Sequence, residues 1–193
     1  MSKGIHTVAI VGAGGMGGLF GSILSKGGLE VTLIDTNREQ IEAIRANGLS
    51  ISGFGGKRNL MLPTVSDASL VKQADIVLVQ CKGTATREAA LSMTHLADNG
   101  SIFISFQNGL GNEDILAEIL GLENVFGGWT AMAAACIGPG QYRDFGRAPC
   151  FIGEWVGGMS PRAEAIAATF TMAGLETSAS ADIKVDIWKK LIG

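Results

Sequence analysis

A glycine-rich turn between a strand-like run and a helix-like run, near the N-terminus, is the feature that most restricts the fold. Ile5–Val11 reads IHTVAIV, an apolar and β-branched segment, and Met16–Lys26 carries residues suited to a helix. Between them Gly12, Ala13, Gly14, Gly15, Met16 and Gly17 spell G-x-G-x-x-G at Gly12, Gly14 and Gly17. In a dinucleotide loop the first glycine permits the tight turn, the second lets the backbone approach a pyrophosphate, and the third lets the helix pack on the strand. The N–H groups at the helix start then hold the phosphates. The chain has 28 glycines, so the triplet alone is weak and a purely structural turn competes with it. Context favours the loop: Asp35 ends the next β-branched run, Glu30–Ile34, at about the ~20-residue spacing of a ribose-binding carboxylate.

Further along, Asn37 can cap a helix over Arg38–Ala46, which Gly48 stops. Leu49–Ser52 and Arg58–Leu62 read as a hairpin, and Asp67 can cap a short helix. Ile76–Gln80 and Ser101–Phe106 are fully apolar or nearly so, as buried parallel strands are. Helices are expected over Thr84–Ala97, Asn112–Leu120, Pro161–Ala173 and Asp182–Ile192, with a last strand at Leu175–Ser178. Strand and helix alternate up to about residue 120, the pattern of a parallel sheet covered on both faces. After Asn124, short strands joined by Gly/Pro turns take over. The expected fold is α/β, a Rossmann-type doubly wound parallel sheet.

Composition excludes several classes. Charged residues make up 17% and the net charge is −3, which argues against disorder and against a nucleic-acid or anionic-membrane footprint. No apolar run approaches the roughly 20 residues of a membrane span, and no signal-peptide core is seen, so a cytoplasmic protein is expected. Cys81, Cys136 and Cys150 are widely spaced, fitting neither a disulfide framework nor a metal site.

Ligands of open parallel sheets bind beyond the carboxyl ends of the strands. The polar residues falling there are Asp35, Lys82, Gln107 and Asn108. Asp35 can accept bonds from ribose hydroxyls and repels a 2′-phosphate, favouring NAD; Arg38, close enough to pair with a phosphate, leaves NADP open. Lys82 is either a solvated lysine or a cation for cofactor and carboxylate substrate. Asn108 is either part of a turn or an amide at the nicotinamide ribose. Reducing a ketone needs a proton donor. His6 lies at the wrong end of its strand and His95 near a helix end, which leaves Lys82, Lys189 and Lys190.

Taken in order, VAIVGAGGMGG, Cys81-Lys82, SFQNGLGNEDIL, GPGQYRDFG and DIWKKL resemble the ketopantoate reductase (2-dehydropantoate 2-reductase) family along the whole chain. That resemblance implies reduction of 2-dehydropantoate to (R)-pantoate with NADPH in pantothenate biosynthesis. NAD-dependent D-2-hydroxyacid dehydrogenases, such as those acting on D-mandelate, are among the family's relatives. It implies that Gly12–Gly17 bind pyrophosphate and that Lys82 borders cofactor and substrate. It further implies that Asn108 bridges the nicotinamide ribose and the substrate, that Ala134 meets the cofactor through its backbone, and that Lys190 contacts substrate as the catalytic general acid. Many NADPH-using members carry an arginine near the end of the second strand, where this chain has Asp35-Thr36-Asn37-Arg38, which points toward NAD. The family also has a helical domain after the catalytic lysine, supplying substrate-site groups and much of the dimer contact, whereas this chain ends three residues after Lys190.

The expectation is a dinucleotide-binding domain over residues 1–181 and the start of an interdomain helix over 182–193. The expected function is hydride transfer from NAD or NADP to a small 2-keto acid, 2-dehydropantoate foremost, with weak turnover for this length of chain and a homodimer as the expected assembly. The rivals are a D-2-hydroxyacid dehydrogenase of the same family and a dinucleotide-binding module without turnover. A β-hydroxyacid or glycerol-phosphate dehydrogenase is a third, which Asn108-Gly-Leu-Gly and Trp188-x-Lys190 oppose.

Overall fold

A computed structural model describes residues 4–192. The first half contains β1 (Thr7–Val11), α1 (Gly15–Lys26), β2 (Glu30–Ile34), α2 (Arg38–Asn47), β3 (Leu49–Gly53), β4 (Arg58–Leu60), β5 (Thr64–Val65) and β6 (Ile76–Val79). Then come α3 (Thr86–Ser92), α4 (Thr94–Asp98), β7 (Ile102–Ser105), α5 (Asn112–Leu120), β8 (Val125–Thr130), β9 (Ala134–Gly138) and β10 (Gln141–Asp144). The remainder is β11 (Cys150–Glu154), α6 (Pro161–Met172), β12 (Thr177–Ala179) and α7 (Ile183–Ile192).

Eight strands form the main sheet in the order β12-β11-β8-β7-β6-β1-β2-β5. From β8 to β5 all neighbours are parallel; β11 runs antiparallel to β8 and parallel to β12. The central strands are apolar throughout because both faces are buried. Val8, Ile10, Ile76, Leu78 and Ile104 pack in one core with α1 and α6; Ala9, Val11, Val77, Val79 and Phe103 pack in the other with α3, α4, α5 and α7. Chain order reverses between β1 and β6, and that reversal opens a crevice at the carboxyl ends of those two strands. This is the expected α/β, doubly wound architecture.

Three expectations are corrected in detail. The hairpin of β3 and β4 forms, but it belongs to a separate four-stranded sheet, β4-β3-β10-β9, in which β10 lies parallel to β3. The helix expected over Thr84–Ala97 starts as a 3-10 turn at Gly83–Ala85 and breaks at Met93 (φ −113°, ψ 7°), dividing into α3 and α4. Met93 is fully buried there, and the Ser92 hydroxyl donates to the Ala89 carbonyl at 2.7 Å, competing with the helix ladder. The last strand is β12, two residues beyond its expected start.

Helix α7 sits on a seat made of two glycines. Gly127 of β8 and Gly153 of β11 face each other in register. A Cβ at Gly127 would stand 3.2 Å from both Ile183 and Ile187, the two buried residues of α7. The missing side chains let the helix approach the sheet, and the seat fixes where the next turn, carrying Lys190, falls.

Candidate functional site

The glycine turn leaves β1 and enters α1 as the spacing predicted. Gly12 has φ +100°, open to glycine and strained for other residues, and its N–H donates to the Ile34 carbonyl at 2.8 Å. A Cβ at Gly12 would lie 2.6 Å from the Cys81 nitrogen, so the loops after β1 and β6 abut directly. Gly17 has no room either, since a Cβ there would meet the Gly12 carbonyl oxygen at 1.9 Å. Gly14 differs from both. It is exposed, extended (φ −74°, ψ −166°), and a Cβ built on it meets nothing within 4 Å. That leaves an open cradle over the N-terminus of α1, whose free N–H groups and dipole suit an anionic group.

The loop is held at both backbone groups of one residue, Ala13. Asp35 Oδ2 accepts the Ala13 N–H at 2.6 Å, and its Oδ1 accepts the Asn37 N–H at 2.8 Å. The Ala13 carbonyl accepts the Tyr142 hydroxyl at 2.8 Å and Gln40 Nε2 at 3.0 Å. Gln40 also bonds the Tyr142 hydroxyl, and its Oε1 accepts the Gly140 N–H at 3.0 Å. Tyr142 is buried, and burial foremost pushes its phenol well above the ordinary value, so it stays a neutral donor. Its ring occupies the space that a side chain at Gly18 would need, which accounts for the extra glycine after the motif. Tyr142 and Gln40 escaped the sequence reading; the available signal was the chain's one tyrosine, inside the glycine-bounded segment GPGQYRDFG.

Removing the hydroxyl gives a direct check. Tyr142→Phe should lower stability by about 1–2 kcal/mol, a melting-temperature drop of a few degrees, because a buried donor and acceptor pair is lost. An unchanged thermal transition would show that the hydroxyl does not secure the loop.

The other candidates behave as follows. Ala13 is buried and its N–H is already engaged by Asp35, leaving it no free donor for a ligand. Met16 packs against the core with its side chain. Gly15 lies against Ala134, whose carbonyl oxygen would be 2.3 Å from a Cβ at that glycine, so Ala134 borders the loop. Arg38 points to solvent, pairing with Glu42 at 2.9 Å.

A second group assembles beyond β6 and β7. Lys190 Nζ donates to Asn108 Oδ1 at 3.0 Å, joining residues 82 positions apart. Lys190 is half-buried, and burial holds its ammonium below the ordinary lysine value. Asn108 is exposed but its backbone is tethered: Asn112 Nδ2 donates to the Asn108 carbonyl at 3.2 Å, and Asn112 Oδ1 accepts the Thr86 hydroxyl at 3.0 Å. Gln107 Nε2 donates to Thr86 Oγ1 at 2.9 Å and to the Cys81 carbonyl at 2.8 Å. This chain of bonds ties the loop carrying Lys82 to the loop carrying Asn108. Lys82 itself is exposed at the start of the 3-10 turn; its carbonyl accepts the Ala85 N–H at 2.8 Å, and its side chain makes no hydrogen bond or ion pair among the described residues. No cluster of His, Cys, Asp and Glu among the described residues is arranged to hold a metal ion, and no helix among them is long and apolar enough to cross a membrane.

Comparison with known proteins places this geometry. Residues 8–157 match the family model of ketopantoate reductase PanE/ApbA. The 2-dehydropantoate 2-reductase of Halobacterium salinarum is 33% identical over 186 residues, covering 96% of this chain and 61% of that protein. The crystal structure of 2-dehydropantoate 2-reductase from Geobacter metallireducens GS-15 is 31% identical with a TM-score of 0.88, over 96% of this chain and 61% of that one. The ternary structure of D-mandelate dehydrogenase with NADH and anilino(oxo)acetate is 30% identical with a TM-score of 0.88, over 95% and 59%. The chain thus spans about three-fifths of the length of the curated relatives it matches. With the glycine loop, the β1/β6 crevice and this similarity in hand, the chain belongs to the ketopantoate reductase PanE/ApbA family.

Proposed function

We propose that this protein reduces a small 2-keto acid, 2-dehydropantoate foremost, using a nicotinamide dinucleotide held at the glycine loop. The observation that carries the reading is the Lys190–Asn108 bond just beyond the carboxyl end of β7, the strand beside β6, whose own following loop abuts the glycine turn. The residues present fit such a cofactor: the cradle over Gly14 is empty of side chains and lies at a helix N-terminus. Bound there, the nicotinamide supplies the hydride.

The rest of the chemistry belongs to the chain. Lys190, as the ammonium, gives a proton to the carbonyl oxygen as the carbonyl carbon becomes sp3, and is left as a neutral amine beside a 2-hydroxy acid. Partial burial favours this loss by disfavouring the cation. Asn108 aims the ammonium through Oδ1, while its Nδ2 remains for a ribose or substrate oxygen. Lys82 supplies positive charge for the substrate carboxylate. The tether through Gln107, Thr86 and Asn112 keeps the two loops at a fixed separation.

Asp35 favours NADH over NADPH, since its carboxylate lies where a 2′-phosphate would be repelled. That observation also supports a second reading, an NAD-dependent D-2-hydroxyacid dehydrogenase, in line with the NADH named for the D-mandelate dehydrogenase structure. Calorimetric titration with NADH and NADPH separately, then with 2-dehydropantoate or benzoylformate in the presence of the reduced cofactor, tests these readings. NADH should bind at least tenfold more tightly than NADPH, a difference of about 1.4 kcal/mol. Tighter binding of benzoylformate than of 2-dehydropantoate would favour the second reading. Failure to bind either cofactor would overturn both.

A further inference from the structure

At the end of α1 remote from the glycine loop lies a cavity of about 360 Å³, lined among others by Lys26, Arg58, Arg147, Phe54, Ile23 and Met172. Helix α1 has 12 residues and is about 18 Å long, so Lys26 is well separated from the cradle over Gly14. Behind this cavity the Asp144 side chain is wholly buried. Its Oδ2 accepts both Arg58 Nη2 at 2.9 Å and Arg147 Nη1 at 2.5 Å, and its Oδ1 accepts the Gly146 N–H at 3.1 Å. Burial pushes that carboxyl up, but the bonds from Arg147, Arg58 and Gly146 outweigh it and hold the pKa below the ordinary value, so Asp144 is a fixed anion.

One carboxylate therefore faces three cations, which leaves an excess of two positive charges on a cavity in a chain whose net charge is −3. Lys26 is exposed and makes no ion pair among the described residues. The guanidiniums are preset by Asp144 and keep further N–H groups; each has five, of which Arg58 uses one on the Phe54 carbonyl and one on Asp144. The other wall is apolar. The Arg147 guanidinium stacks 5.3 Å from the Phe54 ring centre, and Phe54 and Met172 are both exposed. Preset arginine forks suit phosphate oxygens, and the aromatic and thioether surface suits an apolar substituent.

We propose that this cavity is a second ligand site, for a phosphate or diphosphate monoester bearing an apolar group, independent of the dinucleotide cradle.

Inorganic pyrophosphate and phenyl phosphate are the probes, titrated calorimetrically into the Gly14→Val protein so that the glycine loop cannot answer for them. Saturable binding of both is expected, with sodium chloride at equal ionic strength giving none. Adding Lys26→Glu should weaken both at least tenfold. Adding Phe54→Ala should weaken phenyl phosphate several-fold more than pyrophosphate. The Lys26 and Phe54 side chains are exposed and make no hydrogen bond to the Asp144 carboxylate, and a matching melting temperature certifies that these variants fold. Absence of saturable heat in Gly14→Val, or binding unmoved by Lys26→Glu, would overturn the site. Equal weakening of both probes by Phe54→Ala would overturn the apolar part of the assignment. Lys26→Glu alone should leave NADH binding unchanged, and a comparable loss there would overturn the independence of the two sites.

Discussion

Gly14→Val should abolish NADH binding while leaving the fold intact. The backbone of Gly14 is extended, a conformation that valine adopts readily, and its Cβ would point into open space. Gly14 offers α1 no side-chain cap, so substitution at the cap should cost under about 1 kcal/mol. The branched side chain instead fills the cradle a pyrophosphate needs. Affinity should fall by at least a hundredfold, about 2.7 kcal/mol or more. Calorimetry with NADH and a thermal melt on the same sample separate the two effects. Unchanged binding would remove the glycine turn from the cofactor site. A collapsed melting curve would instead mean that the open space is closed in solution.

The second large effect concerns Lys190. If it is the general acid, Lys190→Ala should lower the rate of keto-acid reduction by about 100- to 10,000-fold, some 3–5 kcal/mol at the transition state, with NADH affinity changed little. Lys190→Arg is the sharper version. It keeps the positive charge, but guanidinium does not release its proton, so turnover should stay low. The pH dependence has a fixed sign. Reduction uses the ammonium form, so the rate falls as pH rises through the pKa of Lys190, which burial places below that of a free lysine. Oxidation of the hydroxy acid uses the amine and rises over the same interval. Stopped-flow NADH absorbance, falling during reduction and rising during oxidation, measures all of this in whatever length of the protein turns over. More than a tenth of the rate surviving in Lys190→Ala would exclude the general-acid role.

The parts legible in the sequence are those written in local spacing. The strand Thr7–Val11, the glycines Gly12, Gly14 and Gly17 and Asp35 lie within 29 residues, and each is marked by residue type and period. The central strands announce burial on both faces because they lack polar alternation. The second sheet carries no such mark. Ser50 pairs with Gln141 and Ile51 with Tyr142, across about 90 residues, and nothing in either segment names the other. The same distance hid Tyr142 and Gln40 as supports of the loop. The break at Met93 was hidden differently, since Thr84–Ala97 is helix-compatible throughout and the break coincides with the buried Met93 and the Ser92 hydroxyl on the Ala89 carbonyl, neither of which residue type announces. For Lys190 and Asn108 the residues alone left three lysines open; family resemblance singled out one, and the 3.0 Å bond is a tertiary fact.

The clamp on Ala13 has a consequence for how the protein is made. One of the two donors to the Ala13 carbonyl, Tyr142, follows 129 residues later. A nascent chain emerging from the ribosome can pair β1, β2, β6 and β7 long before that tyrosine exists outside the tunnel. During that interval the glycine turn is held by Asp35 and Gln40 alone, and Gln40 still lacks the Gly140 N–H and the Tyr142 hydroxyl that fix its amide. The complete clamp thus forms late in translation, when β10 docks beside β3, and any ligand that binds only the clamped turn would favour that final closure rather than the earlier assembly of the sheet.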